Sequence, residues 1–158
     1  MINFREITED NFAEIIGMNM EPGQERFVAP NVKSLAQCWL YRNEQDVMPR
    51  AIYNDDTPVG FVLLDLLEEE KEFIIWRIMF DRHHQRQGYG GETIKLLLDE
   101  ARQLGKFNYI VADHVPGNEA MKKLLAHLGF RETRFREDIQ EYECRYWVGA
   151  GAEPTAVE

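Results

Sequence analysis

Apolar positions recur along this chain with two different periods, and the changes between them mark out the elements. Residues 2–7, "INFREI", alternate in the manner of an opening strand. From Thr8 to about Gly17 the spacing becomes helical, with Thr8 as cap and Glu9 and Asp10 in the first turn, where the helix dipole favours acids. "NMEPGQERFVAPN" mixes Pro, Gly and charge and predicts a loop or short broken helix. A second helix runs from about Val32 to Arg42, capped by Asn31, with Leu35, Trp39 and Leu40 on one face and the tryptophan packed into the core. Then "RAIYNDDTPVGFVLLDLLEE" sets two apolar runs around "NDDT", which is hairpin turn chemistry, and a third strand, "FIIWRIMFD" (73–81), follows.

Beyond that strand a glycine-rich loop opens a helix that stops at about Gly105. "NYIVADH" is a strand, "GNEAMKKLLAHLGF" a short helix ended by Gly129, and "FRETRF" with "YECRYWV" a last antiparallel pair. The order β-α-α-β-β-β-α-β-α-β-β predicts an α/β fold: a single mixed, mostly antiparallel sheet of about seven strands with helices on both faces. Strand 73–81 and strand 108–113, joined through a helix, should run parallel. Residues 1–148 form one domain on this reading, and 149–158, small and polar, an expected disordered tail.

Composition changes the picture in only a few respects. The 158 residues are 44% apolar and 29% charged, ordinary for a globular protein. Net charge is −10, from 28 acids against 18 bases, which disfavours nucleic acid and anionic membranes and favours a cationic partner. No apolar run approaches the ~20 residues that span a bilayer. The start, "MINFREITEDN", carries acids where a secretory leader would carry lysines, so the expected location is cytoplasmic. Cys38 and Cys144 lie far apart and fit no metal spacing, and no metal is expected.

The chemistry concentrates at "QRQGYG", residues 85–90. A helix start leaves amide N–H groups unpaired and carries partial positive charge, so it suits an anion. Gly88 and Gly90 allow positive φ and close approach of a ligand to the backbone, and Arg86 adds a cation. The loop is neither a Walker loop, since no "GK[ST]" follows, nor a dinucleotide fingerprint, since Thr93 stands at the third glycine.

Q-x-x-G-x-G after an apolar strand, followed by an Asn-headed helix ending in "LGF", resembles the GNAT superfamily of N-acetyltransferases. The match covers the whole element order and is tightest over residues 73–130. "FVAPNVKSLAQ" and "WRIMFD" look more narrowly like the bacterial polyamine acetyltransferases that act on spermine, spermidine or diamines. The resemblance implies acetyl-CoA as co-substrate and a small-molecule amine as acceptor. It implies that the CoA diphosphate rests on the segment Gln85, Arg86, Gln87, Gly88, Tyr89, Gly90 and Gly91, and that the pantetheine arm runs beside Ile78, Met79 and Phe80. Asn118 would lie near the cofactor, and Lys122 within reach of a phosphate. The Met79 amide would meet the charge developing on the acyl oxygen.

Two departures from the family follow. Leu125 stands where many relatives place a tyrosine acid, and Ile74 where some place a glutamate base. Glu72, one pleat earlier on the same strand face, is the expected water-mediated base. Glu21 and Glu25 would hold the distal ammonium groups of a polyamine, with Phe27 and Trp76 adding cation–π contacts. Tyr142, Tyr146 and Trp147 of the final hairpin could offer an apolar surface for a homodimer. Another amine as acceptor, or a non-catalytic acyl-CoA sensor, would fit the same loop.

Overall fold

The computed structural model describes residues 1–155. Strands β1 (Ile2–Arg5), β2 (Val47–Asn54), β3 (Thr57–Leu67), β4 (Glu72–Phe80), β5 (Tyr109–His114), β6 (Arg131–Arg136) and β7 (Glu141–Trp147) alternate with helices α1 (Phe12–Gly17), α2 (Asn31–Leu40), α3 (Tyr89–Leu104) and α4 (Glu119–His127). The seven strands form one sheet in the order β1-β2-β3-β4-β5-β7-β6. Every neighbouring pair is antiparallel except β4 and β5, which the α3 connection makes parallel. This is the architecture the sequence predicts.

The local departures have identifiable causes. The first helix begins at Phe12, four residues after Thr8, because the Asn11 side chain closes a turn ahead of it. Its Oδ1 accepts from the Thr8 amide at 2.8 Å, and its Nδ2 donates to Glu6 O at 2.9 Å and Tyr53 Oη at 3.2 Å. Asn31 does not cap α2. It lies inside the helix, buried, and donates to Ile15 O at 2.9 Å. The inward face of α2 is Asn31, Ser34, Leu35 and Cys38, a clean i, i+3, i+4, i+7 stripe. Trp39 and Leu40 fall past its edge and are 67% and 68% exposed, so the expectation that Trp39 enters the core is corrected. The Arg42 guanidinium covers the indole instead, 3.9 Å from the ring centre.

Each face of the sheet buries its own cluster. Phe73, Ile75, Ile94, Leu97, Ile110 and Leu125 pack between the sheet and α3/α4. Ile15, Phe61, Leu63 and Met79 pack beneath α1 and α2. A β-bulge in β4 decides which residue faces which side. Leu63 pairs with Arg77 but Leu64 pairs with Ile75, which leaves Trp76 as the extra residue. Strand parity flips there: Phe73 and Ile75 point toward α3, whereas Arg77, bonded to Ser34 Oγ at 3.1 Å, and Met79 point toward α2. The sheet also divides at this point, since the last β4–β5 pair is Ile75 with Ala112.

The segment after β7 is held rather than loose as far as Glu153. Val148 and Gly149 donate to Asn108 O, and Trp147 Nε1 donates to Gly151 O at 2.9 Å. Glu153 accepts from Tyr109 Oη at 2.8 Å and from Arg131 Nη2 at 2.8 Å. Val148 is buried in the main core, and beyond it hydrogen bonds hold a stretch too polar for burial to anchor. Residues 156–158 of the expected tail lie outside the described residues. Tyr142, Tyr146 and Trp147 are each half-buried against aromatic neighbours of their own chain, Phe135, Phe130 and Tyr109.

Candidate active site

The site is the fork between β4 and β5. Past Ile75, β4 keeps β3 on one side and, among the described residues, has no strand on the other, so part of its backbone edge lacks a ladder partner there. Two cavities meet at this gap and share Phe27, Val28, Ile78, Asn118 and Met121 in their walls. One, of about 220 Å³, extends past Met79 and Phe80 to the start of α3. The other, of about 500 Å³, extends over the far face between β3, β5 and β7.

At the first cavity, Gly88 precedes α3 with φ +83°, a left-handed conformation natural to glycine. Arg86 takes φ +62°, which costs a non-glycine residue about 1–2 kcal/mol, and its Nη2 donates to both Glu21 carboxylate oxygens at 2.6 and 2.8 Å. None of the amide N–H groups of residues 85–91 finds an acceptor among the described residues. They are a ready anion cradle at the end of a sixteen-residue helix. Gly90 is small because α4 crosses there: a Cβ would lie 3.1 Å from Leu124 Cδ2. Gln85 braces the loop from behind, donating to Phe80 O at 3.1 Å and Gln24 Oε1 at 3.0 Å. Tyr89 Oη donates to Gln87 Oε1 at 2.9 Å. Asn118 caps α4, its Oδ1 accepting from the Met121 amide at 3.3 Å, while the residue lines both cavities.

The second cavity has a different character. Asp65, Asp113 and Glu141 line it together with Arg77, Arg136 and His114. Asp65 and Asp113 each keep one carboxylate oxygen buried with no hydrogen-bond partner among the described residues. Burial pushes the Asp65 carboxyl up to about 6, and the neighbouring charges of Asp46, Glu44 and Glu70 add to it. Burial likewise raises Asp113 to about 6, with Glu141 and Glu143 contributing and Arg136 and Arg145 opposing. Burial raises Glu141 as well, against the pull of Arg77, Arg136 and His114. Carboxylates so placed favour a cation that can replace their missing partners. Asp113 is the first residue of β5 beyond the fork.

The expected site residues divide accordingly. Ile78, Met79, Phe80, Gln85, Arg86, Gly88, Tyr89, Gly90 and Asn118 line the first cavity, and Phe27 lines both. Trp76 lines the second. Lys122 stands on the exposed side of α4. Glu72 is not brought to the fork: it pairs with Tyr109 at the closed end of the strands, and its Oε1 is taken by Arg145 at 2.6 Å. Glu21 is engaged by Arg86, and Glu25 accepts from the Gly23 amide at 2.8 Å, so neither joins the second cavity. Leu125 is fully buried in the main core and lines neither cavity. Its replacement by alanine is expected to cost about 2–5 kcal/mol of stability, read from the denaturation midpoint, as for other buried leucines. Asp65, Asp113 and Glu141 were missed from sequence. The available signal was a single acid inside each of two apolar strands, "LLDLL" and "IVADH".

A parallel pair that splits ahead of a helix start with unpaired amides is the arrangement that the resemblance to the GNAT superfamily implies. Residues 2–131 match the family model described as the acetyltransferase (GNAT) domain, and the chain belongs to that family. A probable spermine N(1)-acetyltransferase of Bacillus subtilis subsp. natto is 24% identical over 139 residues, covering 82% of this chain and 88% of that protein. The spermidine N-acetyltransferase of Vibrio cholerae, solved in complex with CoA and spermine, superposes with a TM-score of 0.71 at 13% identity, over 91% of this chain and 92% of that one. A ribosomal-protein alanine N-acetyltransferase of Escherichia coli gives 0.70 at 17%, over 99% and 100%. No helix among the described residues is long and apolar enough to cross a membrane.

Proposed function

We propose that this protein transfers the acetyl group of acetyl-CoA to a primary amine of a small polycation, a polyamine such as spermidine or spermine. One observation carries the choice of acceptor: the cleft that reaches the fork holds buried carboxylate oxygens, on Asp65 and Asp113, without partners among the described residues. Ammonium groups satisfy them. The likeness to a probable spermine acetyltransferase supports the same acceptor. The free carbonyl-and-amide edge of β4 and the unpaired amides of residues 86–91 fit coenzyme A.

Bound acetyl-CoA supplies the activated acyl group. The amides of residues 86–91 and the Arg86 side chain hold the diphosphate, and the open edge at Ile78 and Phe80 holds the pantetheine arm. The Ile78 N–H, on the open edge of β4, meets the negative charge growing on the acyl oxygen, because the Met79 N–H expected for this faces β3, as does that of Asp81, which donates to Val59 O. An alkylamine has a pKa near that of lysine, about 10.4, so a base must take its proton as the new N–C bond forms. Asp113 suits this, standing at the fork with a carboxyl titrating at about 6. Glu72, the base expected from strand alternation, is at the wrong end of β4 and already paired. Asp65, on the far wall, holds a distal ammonium. A cytoplasmic location goes with this function.

A thiol-release assay with acetyl-CoA tests the reading across spermine, spermidine, a diamine, an amino acid, an aminoglycoside and an N-terminal peptide. Turnover with the polyamines is expected. Turnover with the others alone would move the acceptor class, and CoA binding with no turnover would leave a sensor. Asp65→Asn should raise KM for spermidine about 10- to 100-fold, the loss of one charged hydrogen bond, with KM for acetyl-CoA unchanged.

A further inference from the structure

The last three strands bring together three donors that no sequence spacing announces. Cys144 of β7 lies opposite Ala112 of β5 on one side and Glu132 of β6 on the other. His114, two residues beyond Ala112, falls on the same sheet face, diagonal to Cys144. The ligand atoms of His114, Glu132 and Cys144 all lie within 4.8 Å of one another, and His114 Nε2 is 3.0 Å from Glu132 Oε1. His114 and Cys144 are each only 4% exposed, whereas the Glu132 side chain is 44% exposed, so the cluster is closed behind and reachable from solvent in front. Tyr142 stacks on the His114 ring at 5.2 Å and fixes its orientation.

We infer that His114, Glu132 and Cys144 form a binding site for one divalent cation of the zinc class. Thiolate, imidazole and carboxylate together suit a borderline-soft ion such as Zn²⁺ or Co²⁺, whereas Mg²⁺ and Ca²⁺ call for oxygen shells. Three protein ligands leave the fourth tetrahedral position to water. On binding, the metal–sulfur bond replaces the Cys144 S–H bond and the proton leaves to solvent, while His114 binds as neutral imidazole. His114 also lines the larger cleft, and exchange of the one thiol proton for a dication makes that part of the wall one unit less negative. The site does not depend on acetyl transfer and is tested without it.

Chelator-stripped protein is titrated with Co²⁺ and followed by absorbance, then challenged with Zn²⁺. The expected result is saturation at one ion per chain with a thiolate-to-cobalt charge-transfer band that Zn²⁺ removes. Cys38→Ser should keep the band. Cys144→Ala should lose it and bind at least about tenfold more weakly, and His114→Gln should bind at least about tenfold more weakly with the band retained at saturation. Zn²⁺ should raise the melting temperature of the wild type but not of Cys144→Ala. Absence of saturable binding would overturn the site, as would a band that follows Cys38 or equal affinity in Cys144→Ala. Should Cys144→Ala not fold, Glu132→Gln at the exposed ligand decides: weaker binding with the band retained is expected, and unchanged affinity overturns the assignment.

Discussion

Gly88→Val should weaken CoA binding by at least about 100-fold in calorimetry while leaving a folded protein with a near-normal melting temperature. Gly88 sits at φ +83°, and a Cβ there meets nothing within 4 Å, so the protein itself has room for a side chain. The cost lies in the backbone. A β-branched residue resists the left-handed region by about 1–2 kcal/mol or more, and relief of that strain rotates the amides that open α3. Each charge-assisted hydrogen bond to the diphosphate is worth about 1.5–3 kcal/mol, so losing two of them accounts for the expected drop. Gly88→Ala, with a smaller penalty, should fall between the two. A valine variant that binds CoA as tightly as wild type would remove the diphosphate from this loop, and with it the assignment of the smaller cavity.

The second large effect is expected from Asp113→Asn: a fall in kcat of about 100-fold, with loss of the acid limb of the pH profile. A base with a pKa of about 6 is active only when ionised, so wild-type kcat should rise through that pH and level off above it. The stability sign separates this from unfolding. The folded-state pKa lies above the unfolded value, so this carboxyl's stabilising contribution is complete below about pH 4 and is lost as pH rises through about 6. At pH 7 the buried charge is a burden, and the asparagine variant should melt no lower than wild type. Full activity in Asp113→Asn across the pH range would exclude it as the base.

Much of the fold was legible because the chain punctuates itself. The turn residues "NDDT", the glycines ending α3 and α4, and the apolar runs of β2 to β5 each state a local preference that the tertiary structure did not need to override. The anion loop was legible for the same reason: left-handed glycine before an amphipathic helix is a local signal. The errors arise where one side chain serves two elements. Thr8 and Asn31 read as caps, yet α1 starts after a turn closed by Asn11, and Asn11 and Asn31 both turn inward to distant partners, the Tyr53 hydroxyl and the Ile15 carbonyl. Trp39 was misplaced because a ten-residue helix whose inner face includes Asn and Ser presents a weak apolar stripe. Glu72 follows from the family's base position at Ile74 moved one pleat along the strand, and alternation says nothing about how far along β4 the fork begins.

The sequence by itself determined the order of elements, the parallel β4–β5 pair and the helix start prepared for a phosphate, since all three follow from neighbouring residues and the length of a connection. Only the tertiary structure decided the chemistry of the second cleft. The bulge at Trp76 flips the parity of β4, the fork opens beyond Ile75, and Asp65, Asp113 and Glu141 arrive from three strands to share one desolvated wall. The same holds for His114, Glu132 and Cys144, whose meeting depends on the register of three strands. Register is set by packing across the whole sheet, so contacts between residues far apart in the chain leave almost no trace in local spacing.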